Sequence, residues 1–99
     1  MVELSAKAVL SRREGIESSA LEDGAVLVNM NSGACFELNR IGAEVWSLLA
    51  SGTTEAAICA TLAGRYEVER VVLEGDIRRL LEALVAAGLV EQATTETGR

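Results

Sequence analysis

Ninety-nine residues fit one domain with a single modest core. Of these, 49% are hydrophobic, yet there is only one Trp, one Tyr and one Phe, so aliphatic side chains must fill that core. A net charge of −6, with Lys7 as the one lysine, argues against a nucleic-acid partner, and no apolar run approaches the roughly eighteen residues of a membrane span.

The N-terminus, Met1 to Lys7, lacks the basic start and long apolar stretch of a signal peptide, so a cytoplasmic protein is expected. Residues 1–15 are mixed and polar around a short apolar run, Ala8-Val9-Leu10, and are expected to form a loose arm or an edge strand. Ile16 to Glu22 has weak strand character and ends at Asp23-Gly24, a pair suited to the positive backbone angles of a tight hairpin turn. Ala25 to Met30 is rich in β-branched residues and reads as a second strand. Asn31-Ser32-Gly33 signals the next turn, and Ala34 to Leu38 the return strand. On it Ala34, Phe36 and Leu38 share one face, Cys35 and Glu37 the other.

The hydrophobic period then changes from two to about 3.6. Asn39 is placed to cap a first helix carrying Ile41, Val45, Leu48 and Leu49 with Trp46 alongside, and Ser51-Gly52 ends it. Thr53 is the expected cap of a second helix, with Glu55 in its first turn and Ile58, Leu62 and Tyr66 as its buried stripe. A third helix is expected from about Glu69 to Ala87, its inner face formed by Val72, Leu73, Ile77, Leu80, Leu81, Leu84 and Val85. Gly88 is a natural stop, Leu89-Val90 packs back or adds a short strand, and residues 92–99 form a frayed polar tail. A three-stranded antiparallel sheet followed by three helices gives an α+β domain.

Catalytic constellations are missing. Without histidine there is neither a Ser-His or Cys-His pair nor a His-based metal site. Cys35 and Cys59 lack the spacing of a metal motif and read as reduced thiols, the bland role being small packed hydrophobes. No phosphate-cradling glycine loop is present, and Glu74 and Asp76, two apart on a helix, do not face each other. No serine sits in the Asp-Ser-Leu triplet of a phosphopantetheine carrier. Neither catalysis nor a metal or other cofactor is therefore expected.

Four features, in order, carry a family resemblance. A Gly-terminated turn precedes a strand ending in Leu38-Asn39; Gly42 and Trp46 follow in the first helix. The second helix opens in Gly52-Thr53-Thr54-Glu55 and ends with Arg65-Tyr66-Glu67-Val68, and the third closes in Leu84-Val85-Ala86-Ala87-Gly88-Leu89-Val90. From about Ile16 to Glu91 the chain resembles the PqqD-like RiPP recognition elements, a group that includes the pyrroloquinoline-quinone biosynthesis chaperone and the standalone leader-binding proteins of lasso-peptide pathways.

The resemblance implies a winged helix-turn-helix-like fold and a non-catalytic chaperone. The leader of a ribosomally made precursor would add as an antiparallel strand along Ala34, Cys35, Phe36, Glu37 and Leu38. Its side chains would enter a groove walled by Asp76, Arg79, Leu80 and Ala83 of the third helix. The implied partners are that leader and a separate modifying enzyme, a leader peptidase or a radical enzyme, with a lasso-type pathway preferred over a quinone-cofactor one. Relatives often carry an aromatic residue where this chain has Cys35, a difference that implies either a deeper pocket for a bulky leader residue or simply different packing.

The alternative is a winged-helix DNA-binding regulator, since one fold serves several functions. Its recognition helix would need a basic face, whereas Glu74, Asp76 and Glu82 stand beside Arg78 and Arg79. Self-pairing of an exposed strand edge is a third reading.

Overall fold

The computed structural model describes residues 4, 5 and 7–93. In chain order these form β1 (Val9–Arg12), β2 (Ile16–Leu21), β3 (Gly24–Asn29) and β4 (Cys35–Asn39). There follow α1 (Arg40–Leu48) with a 3-10 turn at Leu49–Ser51, β5 (Thr53–Thr54), α2 (Glu55–Ala63), α3 (Arg70–Ala86) and β6 (Val90–Ala93). The antiparallel meander β2-β3-β4 and the three helices after it match the α+β arrangement implied by the sequence.

The N-terminal segment differs from expectation. Rather than a loose arm or an edge strand, β1 is the central strand of a second sheet ordered β5-β1-β6. Leu10, fully buried, pairs across to Thr53 on one side and Gln92 on the other. A half-apolar strand without a partner would leave its backbone groups unsatisfied, and β5 and β6 supply the partners. Gln92 and Ala93 thus belong to β6, while residues 1–3, 6 and 94–99 of the expected arm and tail lie outside the described residues.

The hairpin between β2 and β3 turns at Glu22-Asp23, because Leu21 already pairs with Gly24. Gly24 therefore does not supply a positive φ. Its role is close approach: a Cβ built there would stand 2.0 Å from the Leu38 carbonyl oxygen. The β3–β4 turn is fastened by Asn29, whose Oδ1 accepts from the Asn31 and Ser32 amides at 2.9 and 3.3 Å, and Gly33 takes φ 78°.

Asn39 caps α1 as expected, its Oδ1 accepting from the Gly42 amide at 2.8 Å. The α2 cap is Thr54, not Thr53, because Thr53 is used in the ladder with β1; Thr54 Oγ1 accepts from the Ala57 amide at 3.2 Å. Tyr66 lies beyond α2, which ends at Ala63, and Val72 is exposed rather than on the inner face of α3. At about 100° per residue Val72 sits roughly 140° around the helix from buried Ile77. Leu73, Ile77, Leu81 and Leu84 form the buried stripe instead. Gly88, at φ 78°, ends α3 in a Schellman arrangement, with the Leu89 amide donating to the Leu84 carbonyl at 2.9 Å.

Three side-chain clasps join the layers. Arg12 of β1 lies 4.5 Å from the Trp46 ring centroid and donates to the Trp46 carbonyl at 2.7 and 3.0 Å. Arg78 of α3 bonds buried Glu55 at 2.7 Å and also the Leu4 carbonyl. Glu44 of α1 accepts from the Tyr66 hydroxyl and from Arg65, which ties α1 to the segment after α2.

Two tests follow from these packing features. Gly24→Ala is expected to lower unfolding free energy in urea by about 1–3 kcal/mol, because the added carbon collides with backbone rather than a flexible side chain; wild-type stability would contradict the close approach. The Tyr66 hydroxyl and then Arg65 hold the Glu44 carboxyl below its ordinary pKa. Its contribution is therefore complete above the ordinary glutamate range and is lost as pH falls through the depressed folded value. Glu44→Gln should lose stability less steeply than wild type across that acid range in pH-dependent urea melts, and equal slopes would contradict the assignment.

Candidate functional site

In the meander, β4 is an edge strand. Its pairing with β3 fixes which backbone groups are spent. The Asn29 amide donates to the Ala34 carbonyl at 2.9 Å, and the same register pairs Leu27 with Phe36 and Ala25 with Leu38. In an antiparallel ladder hydrogen-bonded pairs alternate, so Phe36 and Leu38 direct both N–H and C=O toward β3. Cys35 and Glu37, opposite Val28 and Val26, direct theirs outward to the open edge.

Side chains alternate the other way. Leu38 is buried and Phe36 half-buried against the core, while Cys35 and Glu37 are exposed on the outer face. Beside the open edge lies a cleft of about 230 Å³, lined by Glu37, Leu38, Asn39, Ile41, Gly42, Asp76, Ile77 and Leu80. Its floor is aliphatic and its lips carry Glu37 on the strand side and Asp76 on the helix side. Gly42 keeps the strand-to-helix corner tight: a Cβ there would lie 3.2–3.3 Å from Leu38 and the Asn39 cap oxygen.

Of the residues expected at the site, Glu37, Leu38, Asp76 and Leu80 meet in this cleft. Cys35 and Phe36 continue the strand beyond it, and Ala34 lies in the turn before β4. Arg79 and Ala83 do not line the cleft: Arg79 sits about 160° around α3 from Ile77, and Ala83 lies about 4.5 Å further along the helix axis than Leu80. Arg79 is exposed and bonded to Asp76. Asn39, Ile41, Gly42 and Ile77 complete the lining. The sequence marked them as cap and helix residues; only the corner at Asn39 shows that they also form a wall.

The electrostatics of α3 bear on nucleic acid. Arg70 pairs with Glu74 at 2.9 Å, Arg78 with Glu55 and Glu82, and Arg79 with Asp76. Every arginine of the helix is thus neutralised by a carboxylate, and no basic face is offered to phosphate. Among the described residues no helix is long and apolar enough to cross a membrane.

The family described as Coenzyme PQQ synthesis protein D (PqqD) matches residues 24–90, the stretch from the start of β3 to the first residue of β6. The chain belongs to the PqqD family. Its structure is similar to that described as "TbiB1 in Complex with the TbiA(beta) Leader Peptide", with a TM-score of 0.74 and 31% identity over 82% of this chain and 94% of that one. It is also similar to "Lasso peptide synthetase B1 complexed with the leader peptide", with a TM-score of 0.72 and 30% identity over 83% and 96% of the two chains. No curated protein matches the chain. This PqqD-family chain thus shares its strand-and-helix frame with proteins solved alongside leader peptides.

The alternation on β4 is measurable in the free protein. Amide hydrogen exchange should be slow at Phe36 and Leu38, whose N–H groups are in the ladder, and much faster at Cys35 and Glu37. Equal protection at all four would show that the edge is covered.

Proposed function

We propose that the chain binds the leader of a ribosomally made precursor peptide by strand addition to β4 and presents it to a separate modifying enzyme. The observation that carries this reading is the open edge itself: the outward backbone groups of Cys35 and Glu37 lie beside an aliphatic cleft. Backbone bonds of this kind give affinity that tolerates sequence, and the adjacent pocket adds side-chain selectivity. Relatives 31% and 30% identical, described in complex with leader peptides, support the same reading, and the lasso synthetase among them favours a lasso-type pathway.

In this role the chain needs no chemistry of its own, and the partner enzyme, a leader peptidase or a radical enzyme, performs the reaction. A precursor leaves the ribosome in the cytoplasm, so the binder acts there. On the strand side, Ala34 to Leu38 supply the ladder and the near wall; on the helix side, Asp76 and Leu80 supply the far wall, with Arg79 and Ala83 flanking it. The exposed Asp76–Arg79 pair is available for exchange with leader charges, because surface pairs of this type hold only weakly.

The test is a fluorescence-anisotropy titration of the labelled leader of the precursor encoded beside the gene. Saturable micromolar or tighter binding, lost for a scrambled leader, is expected. Cys35→Pro removes one outward donor without touching the β3 ladder and should weaken binding about five- to tenfold, the worth of one hydrogen bond. Ser18→Pro, on the outer edge of β2, should leave affinity unchanged. Equal effects of the two prolines, or none, would place the site elsewhere.

A further inference from the structure

The register on β4 also constrains which leaders fit, an inference resting on the strand-addition reading. The three strands of the meander, Ile16–Leu21, Gly24–Asn29 and Cys35–Asn39, contain no basic residue; their two charges are Glu17 and Glu37. Both lie on the outer face, since Glu17 pairs with Val28, which pairs with Cys35, and Ser19 pairs with Val26, which pairs with Glu37. Among the described residues Glu37 takes part in no ion pair. The neighbouring carboxylates do not relieve this. Glu22 and Asp23 line a second cleft with Glu37, and Arg40, the cation close by, is bonded to Asp23 at 2.7 Å.

An added strand repeats the two-residue alternation. Leader side chains opposite Phe36 and Leu38 face the aliphatic cleft, whereas the one opposite Glu37 faces outward on its side of the sheet. Directly opposed side chains have Cβ atoms about 4.5–5.5 Å apart, within reach of a carboxylate and a cation. We propose that Glu37 is a specificity-determining residue that selects leaders with Lys or Arg at the position opposite it. The preferred ligand is an extended peptide with apolar residues on its groove side and one basic residue between them on the outer side.

A charged edge residue also has a plainer use, which is to discourage self-pairing of the strand. The two roles separate cleanly. A lysine guards an edge as well as a glutamate does, but it reverses the choice of partner.

The experiment is a selection from an mRNA-displayed library of random peptides on the full-length chain, in wild-type, Glu37→Lys and Glu37→Gln forms. Position 37 is exposed, so all three should share one melting temperature. Wild type should enrich alternating apolar residues with Lys or Arg at one intervening position. Glu37→Lys should move that position to Asp or Glu, and Glu37→Gln should leave it without charge preference. A basic leader peptide recovered on wild type should bind Glu37→Lys about fivefold more weakly, in the range of cross-strand charge pairs. Apolar alternation with the same charge preference on all three forms would overturn the assignment to Glu37 while leaving strand addition intact. Absence of any enriched peptide would overturn the strand-addition reading and this inference with it.

Discussion

Everything about this molecule's open edge depends on the corner where β4 becomes α1 without an intervening loop. Asn39 is the last residue of the strand and the cap of the helix at once, its side chain satisfying the Gly42 amide. Because the chain turns into a helix there, it does not continue into another strand, and β4 keeps one side unpaired. Gly42 lets the first helical turn lie against Leu38, which brings Ile41 alongside the strand and next to Ile77 and Leu80. A single compact corner thus creates both a row of unspent backbone groups and the apolar wall beside them.

An exposed edge next to an apolar cleft is open to pairing with another chain, so it contributes little to holding this fold together. The contacts that do so lie elsewhere in the chain. The second sheet draws β1, β5 and β6 together, so segments far apart in sequence are joined in one ladder. Arg12 reaches from β1 to the Trp46 ring and carbonyl, Arg78 joins α3 to Glu55 and Leu4, and Glu44 holds Tyr66 and Arg65. Aliphatic side chains such as Leu27, Leu49, Leu62 and Leu81 are fully buried in the interior, each contributing roughly 1.5–3 kcal/mol of burial. The open edge of β4 is left free because these stabilising contacts are made by other elements.

Much of this was readable in the residues. β-Branched residues in Ala25–Met30, alternation in Ala34–Leu38, the period change at Asn39, and Gly88 after an amphipathic run located the meander and the helix starts within a residue or two, while the second helix, expected to run on through Tyr66, ends at Ala63. The shifts that did occur have local causes: Thr53 was claimed by β1, and Leu21 paired with Gly24 so the turn moved back one position. The second sheet was not legible, because β5 is two residues long and β1 reads as a strand only once distant β6 is beside it. For the cleft, the family resemblance pointed to both walls, and on the strand side Glu37 and Leu38 line it. On the helix side Asp76 and Leu80 line it but Arg79 and Ala83 do not, because one is turned away around α3 and the other lies further along its axis.

Strand addition to β4 is the central claim, and NMR of the isotope-labelled protein with bound leader tests it most directly. Peptide pairing with β4 requires new amide protection at Cys35 and Glu37, together with close Hα–Hα contacts from the leader to Phe36 and Leu38. That alternating pattern, on those four residues, is the predicted result. Contacts confined to the outer edge of β2 or to the exposed Val71 side of α3, with Cys35 and Glu37 still exchanging freely, would contradict the account.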